Sequence, residues 1–289
     1  MPSCASCVSC VKITHSIKTE YSISLLINDI YQQVHYSEAV NMDIQSFIDN
    51  LTPESLQQIN EAFAKKQNKI PTYSYSQITF KDLKRLFDIR NNKTQELFDD
   101  WFNNNIELKP DDIKFLNDLI ENNEFLIESY KEEDLKVKFI TPILNRIKFL
   151  DFTIPFRDFY EEPLIYKTNH FILSGTTDFL ISKGLEFAEE PYFFIQEFKK
   201  SIKNDDPRPQ LLAELIAAVE LNHFISMKGA YIVGAIWHFV ILEKMGTNQY
   251  QYFISKLFNA TNLKDLQSIY QNLLFVKSQI YQIAQKNGI

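Results

Sequence analysis

The sequence predicts an α/β fold in which a mixed β-sheet is flanked by helices, preceded by an all-helical N-terminal segment. Up to about residue 150, apolar residues recur at intervals of three and four, as they do on one face of an amphipathic helix. Further along, short runs of aromatic and β-branched residues lie between Gly, Asn and Pro turns, which is typical of strands. One Ala-rich helical stretch separates two groups of these runs, and this order indicates an α/β core.

The composition is that of a soluble globular protein. Of the 289 residues, 45% are hydrophobic and 23% are charged, and the length suits one large domain or one core with a helical appendage. No apolar run is long enough to span a bilayer. The chain has 6 glycines and neither a Walker A loop nor a dinucleotide-binding fingerprint. Its formal net charge of −7 gives no general attraction to nucleic acid, so nucleic-acid binding would require a local basic surface.

Residues 1–41 differ in composition from the rest and are predicted to be a disordered tail or an upstream extension. The three cysteines of the chain lie here, at Cys4, Cys7 and Cys10. A closed metal site needs a fourth donor, for which His15 is the nearest candidate. The segment lacks the basic start and apolar middle of a signal peptide, so we expect a cytoplasmic protein. The alternative is a genuine tail with a short helix over about residues 22–33.

Residues 42–130 are predicted to be entirely helical. Thr52 and Pro53 are residue types favoured at the N-cap and the first position of a helix. Further amphipathic segments cover residues 79–87, residues 94–102 and a stretch that begins at Pro110. Short helices of this kind form either a small recognition module or a helical cap on the main core, and the sequence leaves both alternatives open.

Residues 131–289 are predicted to form the α/β core. A helix that begins near Glu132 carries a broad apolar face, and Pro142 should kink or break it. Strands are predicted over residues 158–166, 170–173, 178–181 and 192–197 and, after an Ala-rich helix, over residues 229–237, 239–243 and 250–254. A terminal amphipathic helix is predicted over residues 263–283. The continuous apolar run over 192–197 is typical of a central strand that is covered on both faces.

Two acids and a lysine stand out within these apolar runs. Glu197 and Lys199 are two positions apart on one predicted strand, so both side chains leave the same face. A buried strand normally carries no unpaired charge, because desolvating one is very costly. Asp178 lies on the strand expected beside it, and two carboxylates with waters are typical ligands of Mg²⁺. Such a metal activates a water, and Lys199 could position that water and offset the charge that grows on a phosphate.

Two alternatives to this metal site follow from the residues. The histidines are scattered and H-E-x-x-H is absent, which argues against a Zn²⁺ hydrolase. The Glu-x-Lys tripeptide alone is more typical of a solvated pair on a strand edge. The joint pattern favours a site, because Asp178 follows Gly175, a hydrophobic run leads into Glu197, and Gln210 stands on the Ala-rich helix.

These residues resemble the PD-(D/E)xK nuclease superfamily, whose members have restriction-endonuclease-like folds. The family pattern is an acid at the start of one strand and Glu/Asp-x-Lys on the next, and here Asp178 and Glu197-Phe198-Lys199 match it. The resemblance covers roughly residues 130–255 and points to an uncharacterised bacterial branch related to the N-terminal nuclease part of type I restriction subunits. Thr177 stands where the family name has a proline, a variation that many members share.

The resemblance implies a Mg²⁺-dependent phosphodiesterase that acts on nucleic acid, with DNA as the expected substrate and Mn²⁺ as a substitute for Mg²⁺. Asp178 and Glu197 would bind the metal, and Lys199 would orient the attacking water. The alternative is a catalytically inactive nuclease fold that binds nucleic acid or a partner in a defence system. No membrane partner is expected, and the sequence is compatible with a homo-oligomer.

The resemblance also points to residues on the flanking helices. Relatives often carry a further acid on the helix before the sheet, and among Glu132, Glu133 and Asp134 we select Glu133, which is in register with the apolar residues of that helix. Many relatives carry a glutamine on the helix after the lysine strand, where Gln210 stands. Glu214 replaces the tyrosine of the exonuclease-type motif, which weakens an exonuclease assignment.

Basic residues follow the Glu-x-Lys motif directly. Lys200, Lys203 and Arg208 are predicted to contact backbone phosphates, which give affinity without sequence preference. The alternative is a solvated basic loop with no ligand, and the sequence does not separate the two.

Overall fold

The computed structural model of the chain describes residues 50–66, 70–201 and 206–286. The chain divides into two compact units, Met1–Phe63 and Ala64–Ile289. The predicted tail over 1–41, with its cysteines and the short helix near residues 22–33, lies outside the described residues, and so does Lys203. In the described ranges, no helix has both the length and the apolar composition needed to cross a membrane.

The first two described helices begin at capping side chains. Helix α1 spans Pro53–Lys66, and Thr52 is its predicted cap, with Oγ1 accepting a hydrogen bond from the Ser55 backbone N–H at 3.2 Å. Helix α2 (Phe80–Leu86) begins with a capping box in which Thr79 and Asp82 bond each other's backbone N–H groups. The remaining helices are α3 (Asp99–Phe102), α4 (Pro110–Asn123), α5 (Glu132–Leu135), α6 (Thr141–Ile147), α7 (Pro207–Asn222) and α8 (Leu263–Lys286).

The described residues form one mixed sheet of nine strands. They are β1 (Thr72–Ser74), β2 (Asp88–Asn91), β3 (Phe156–Lys167), β4 (Ile172–Lys183), β5 (Glu189–Lys199), β6 (Ser226–Val233), β7 (Ile236–Gly246), β8 (Gln249–Ile254) and β9 (Phe258–Asn259). The order in the sheet is β1-β4-β5-β6-β7-β8-β2, with β3 paired to β4 and β9 paired to β7. The pairs β1–β4, β5–β6 and β2–β8 are parallel and the others antiparallel. This confirms the α/β class and the mixed sheet flanked by helices.

The prediction of an all-helical segment over 42–130 is wrong for two stretches. Strand β1 lies parallel to β4, and strand β2 lies parallel to β8. Strands of three and four residues are too short to show an alternating pattern, so their sequence carries no periodic signal. Their backbone groups bond to the free edges of β4 and β8, which is a tertiary interaction.

Two strand boundaries also differ from the prediction. Strand β4 is one continuous strand of 12 residues, where two short strands over 170–173 and 178–181 were expected. The chain reverses at Gly234, whose φ of +60° suits a tight turn between β6 and β7. His238 therefore lies inside β7 rather than between strands.

Each face of the sheet has its own apolar core. On one side, Phe194 and Phe198 of β5 pack in a cluster with Leu273 and other residues of α8, and we call this side the α8 face. On the other side, Ile195 packs in a cluster with Leu215 and its neighbours on α7, and we call this side the α7 face. The alternation along β5 is therefore that of a central strand covered on both faces, as the apolar run predicts.

Helix α7 approaches the sheet closely. A Cβ atom at Gly229 of β6 would lie 2.9 Å from the Ile195 carbonyl oxygen and 3.1 Å from a Leu215 methyl carbon. Only glycine leaves room for the helix at this point. The close approach brings the side chains of α7 against the α7 face of β5.

Candidate functional site

Strand β5 carries Glu197 and Lys199 on the α7 face. Both have the same parity as Ile195, whose side chain lies in the α7-face core. Glu197 is completely buried, whereas Lys199 is partly exposed at the end of the strand. Strand β5 therefore carries a buried carboxylate and, two residues later, a partly exposed lysine. Both are on the same face, as the sequence predicts.

Asp178 of β4 stands beside Glu197. The register that places Phe179 opposite Gln196 brings the two acids next to each other. The backbone N–H of Asp178 donates to Glu197 Oε1 at 3.3 Å, and Asp178 Oδ2 accepts from the Phe198 backbone N–H at 2.9 Å. The two predicted acids thus meet across one strand pair, although they are far apart in sequence.

Glu214 of α7 is a third carboxylate at this position, and it was not among the predicted site residues. It is completely buried, and Gln210 Nε2 donates to its Oε1 at 3.2 Å. A sequence signal existed, because Glu214 is one acid inside the otherwise apolar run 211–219 of a helix. An acid in such a run is rare unless it has a partner or a function.

The Glu197 and Glu214 carboxyl groups hold protons more tightly than exposed acids. Burial raises the pKa of Glu197 well above its ordinary value, and repulsion by Glu214 and Asp178 adds to the effect. Burial also raises the pKa of Glu214 to about 8, although the hydrogen bonds from Glu197 and Gln210 and the attraction of Lys199 oppose this. Near neutral pH the pair therefore keeps a proton when no cation is present.

One oxygen of each buried acid lacks a hydrogen-bond partner. Glu197 Oε2 and Glu214 Oε2 are both inaccessible to solvent, and apart from a proton held by the other acid no donor among the described residues reaches either of them. A hydrogen bond between two carboxyl groups requires that one of them is protonated, which the raised pKa values favour. A proton or a cation would satisfy these oxygens.

A buried lysine, Lys136, also contacts Asp178. Its Nζ lies 3.3 Å from Asp178 Oδ1, bonds the Glu161 carboxylate, and lies 5.6 Å from the centre of the Phe198 ring. Burial lowers the pKa of this ammonium, but the bond to Glu161 and the attraction of Asp178 outweigh that effect and the pKa is raised. Lys136 was not predicted, although it precedes Ile140 and Leu144 at intervals of four and so lies on the apolar stripe.

Lys136 belongs to a π-helical segment. The segment Lys136–Ile140 joins α5 to α6 and directly precedes Thr141 and Pro142. A proline removes one backbone donor and clashes with the carbonyl four residues earlier, so the preceding turn widens. The predicted break at Pro142 therefore takes the form of a π segment in a continuous helical path. Such segments are frequent at functional sites.

Strands β3 and β4 are irregular where they pass Asp178. Leu173 and Phe179 are six positions apart, which in a regular strand would place them on one face, yet they lie in the α7-face and α8-face cores respectively. Leu164 and Phe156 of β3 show the same switch. Between them Glu161, which is in register with Asp178, has a φ of +52°. Left-handed backbone at a non-glycine residue costs about 1–2 kcal/mol and is often found at functional sites.

The three acids at the start of α5 lie in different surroundings. Glu133, the predicted site residue, is exposed and makes no hydrogen bond or ion pair to Asp178 or Glu197 in the described part of the chain. Glu132 Oε2 accepts from the Lys200 backbone N–H at 2.9 Å, and Asp134 pairs with Lys138 at 2.7 Å. The structure thus brings Lys136, and not Glu133, from this helix to Asp178.

Of the three predicted phosphate-contacting residues, Lys200 and Arg208 lie in the described part of the chain, and both bond to other groups of the protein. Lys200 Nζ donates to the backbone carbonyls of Ile127 at 2.7 Å and Glu128 at 3.0 Å. Arg208 forms a two-pronged ion pair with Asp206, with Nε to Oδ1 at 2.8 Å and Nη2 to Oδ2 at 2.7 Å. Their contact with phosphates stays a prediction, and it would require these bonds to be shared or exchanged.

The Asp178 and Glu197 carboxylates suit a metal ion that has few protein ligands. In residues 50–66, 70–201 and 206–286, no group of three or more His, Cys, Asp or Glu side chains is arranged to hold a metal ion. Mg²⁺ commonly uses one or two carboxylates and completes its shell with waters and substrate oxygens. Asp178 and Glu197 supply two carboxylates, and the unpartnered Glu197 Oε2 is suited to accept a cation.

Comparison with protein-family models and with curated proteins identifies no relative of this chain. No protein-family model matches the chain, and no curated protein matches it significantly. Membership of the PD-(D/E)xK superfamily is therefore a prediction that rests on the residues and their arrangement.

Proposed function

We propose that this protein is a Mg²⁺-dependent nuclease of the PD-(D/E)xK type, with a restriction-endonuclease-like core, that hydrolyses phosphodiester bonds in DNA in the cytoplasm. Mn²⁺ would replace Mg²⁺. The observation that carries the proposal is the Glu197 carboxylate, which is completely buried beside Asp178 and Glu214 and has one oxygen without a donor among the described residues. Burying such a group is costly when it serves packing alone, so its presence supports a ligand role.

Each side chain of the site has a distinct task in this proposal. Asp178 and Glu197 would hold the metal, which when bound lowers the pKa of a water and polarises a phosphate oxygen. Lys199 orients the attacking water and offsets the negative charge that grows on the phosphate oxygens. Glu214, held by Gln210, shares a proton with Glu197, and this proton would be released to solvent if Glu197 became a metal ligand.

The solvent exposure of the site residues agrees with these proposed roles. Asp178 is about one-fifth exposed and Lys199 is partly exposed, whereas Glu197 and Glu214 lie below them in the core. A polymer substrate can therefore reach the outer acid and the lysine. The inner carboxylates are shielded from water, which strengthens their interaction with any cation they hold.

The test is a cleavage assay on the purified full chain. Supercoiled plasmid, linear duplex, single-stranded DNA and RNA are incubated with Mg²⁺, Mn²⁺ or a chelator. We expect metal-dependent cleavage of DNA that is lost in Lys199→Ala and kept in Lys167→Ala, a matched change of an exposed lysine at the end of β3 on the same sheet. Cleavage that survives in Lys199→Ala would remove the proposed site. Binding of DNA without cleavage would favour the inactive binding module.

A further inference from the structure

Lys136 is a buried lysine with two acidic partners. Its side chain is only 10% exposed, and its Nζ contacts both Asp178 Oδ1 and the Glu161 carboxylate. An ammonium in such a position would be strongly unfavourable without partners. The ion contacts therefore fix the ammonium in place at the edge of the candidate site.

The Asp178 carboxylate is held by two donors before any cation binds. Oδ1 faces Lys136 Nζ at 3.3 Å, and Oδ2 accepts from the Phe198 backbone N–H at 2.9 Å. Together these two contacts set the orientation of the carboxylate next to Glu197. Of the two donors only Lys136 carries a charge, so only Lys136 affects both the orientation and the electrostatic potential at Asp178.

Glu161 competes with Asp178 for the same ammonium. The Glu161 side chain is 61% exposed and bonds Lys136, while the Asp178 side chain is 20% exposed. When the Lys136 ammonium lies closer to Asp178, it repels a divalent cation at that carboxylate. When it lies closer to Glu161, this repulsion is weaker. The sharing of Lys136 between the two acids therefore controls how strongly Asp178 attracts a cation.

We propose that Lys136 is a positioning residue of the candidate site, which orients Asp178 and sets the affinity of Asp178 and Glu197 for a divalent cation. This inference rests on the proposed function. It predicts two opposed effects of removing the ammonium. Cation affinity rises because a repulsive charge is lost, and cleavage slows because Asp178 loses the group that orients it.

A purely structural ion pair predicts a different outcome. If Lys136 served only to join helix and sheet, removing it would loosen Asp178 and weaken cation binding and cleavage together. The opposed signs therefore distinguish a positioning role from a structural one. Glu161→Gln should have the opposite effect on cation affinity, because the Lys136 ammonium then has Asp178 as its one remaining acidic partner among the described residues.

The experiment is a Mn²⁺ titration of the full chain, followed by the electron paramagnetic resonance signal of free Mn²⁺. We expect Lys136→Met to bind Mn²⁺ at least about tenfold more tightly than the wild type, the effect of a unit charge about 6 Å from a divalent ion at water-like dielectric. The same variant should cleave DNA more slowly. Glu161→Gln should bind Mn²⁺ a few-fold more weakly, and since this side chain is largely exposed the variant should fold.

Two controls accompany the titration. Lys138→Met removes a nearby exposed lysine that pairs with Asp134, and it should leave Mn²⁺ affinity unchanged. Lys136→Arg keeps the charge and should keep wild-type Mn²⁺ affinity. Unchanged or weaker Mn²⁺ binding by folded Lys136→Met, or tighter binding by Glu161→Gln, would overturn the inference while the nuclease proposal survives. Absence of Mn²⁺ binding by the wild type would overturn both.

Discussion

Gln196 and Glu197 are neighbours on β5 and both are completely buried, but they lie on opposite faces of the sheet. Gln196 points to the α8 face, on the side of Phe194 and Phe198, and neither polar atom of its amide has a hydrogen-bond partner among the described residues. Glu197 points to the α7 face, where Asp178 and further titratable groups surround it. The same strand therefore buries one isolated amide and one acid in a charged group.

Gln196 and Glu197 differ in the groups that surround them. On the α8 face the neighbours of Phe194 and Phe198 are mainly aromatic and aliphatic, and the charged groups that reach it include the Lys136 and Lys228 ammoniums, which lie over the Phe198 and Trp101 rings. Both acids that are completely buried in the described part of the chain, Glu197 and Glu214, lie on the α7 face. Acids gathered in this way can exchange a proton for a metal ion, which an amide cannot do. From this comparison we propose that the α7 face of β5 carries the chemistry and that the α8 face serves packing.

The largest combined loss, of cleavage and of stability together, is expected for Asp178→Asn. We expect DNA cleavage to fall by at least about a hundredfold, the usual order for loss of one catalytic electrostatic group. The free energy of unfolding should also fall, because the buried Lys136 ammonium loses one of its two carboxylate partners. Plasmid cleavage and urea unfolding measure the two effects. Cleavage at the wild-type rate would show that the α7 face is not the catalytic one.

The next largest effect is a pH dependence of stability that originates on the α7 face. The pKa of Glu214 is raised to about 8 and that of Glu197 is also raised, so the folded chain keeps a proton that the unfolded chain releases above its ordinary pKa of 4.5. The stabilisation present at acid pH is therefore lost as pH rises toward about 8, by at most about 1.4 kcal/mol per pH unit for one proton.

Urea unfolding of the wild type and of Glu197→Gln between about pH 5 and about pH 8 isolates this contribution. The variant removes one acid of the pair, so its stability should depend less on pH over that interval. Equal slopes for the two proteins would show that the pair shares no proton. Added Mg²⁺ should restore part of the wild-type stability at the alkaline end, because a cation binds the deprotonated acids.

At neutral pH, Glu197→Gln should increase stability by about 1–2 kcal/mol while it abolishes cleavage. The substitution removes a buried acid from a repulsive group and supplies an amide donor to Glu214. Gains of this kind are common where an active site is held in an unfavourable arrangement. Thermal melting at neutral pH measures the change. A destabilised variant would show that the Glu197 carboxyl group stabilises the fold, contrary to this expectation.

The smallest effect is expected on the α8 face. Gln196→Met replaces an amide without partners among the described residues by an apolar side chain of similar size, so stability should rise by about 1 kcal/mol. DNA cleavage should not change. A loss of cleavage would contradict the division of the sheet into a chemical and a packing face.

The parts of this molecule that could be predicted from sequence are those with a local signal. The apolar run before Glu197 marks β5 as a central strand, and the parity of Glu197 and Lys199 follows from the geometry of any strand. Strands β1 and β2 could not be found in this way, because each exists through pairing with a distant strand edge.

The remaining site residues depended on three-dimensional features. Lys136 and Glu214 each interrupt an apolar helical stripe, which is a signal of burial but says nothing about the partner. The contact of Lys136 with Asp178 depends on the π segment before Pro142 and on the irregular passage of β3 and β4 at Glu161. Neither irregularity follows from residue spacing alone.

The most direct test compares the two neighbours on β5. Glu197→Gln and Gln196→Met are assayed side by side for Mg²⁺-dependent cleavage of plasmid DNA, with folding verified by thermal melting. We expect the Gln196→Met protein to cleave as the wild type does and the Glu197→Gln protein to be inactive although folded and more stable. Wild-type cleavage by folded Glu197→Gln, or equal loss in both variants, would contradict the assignment of phosphodiester hydrolysis to the α7 face.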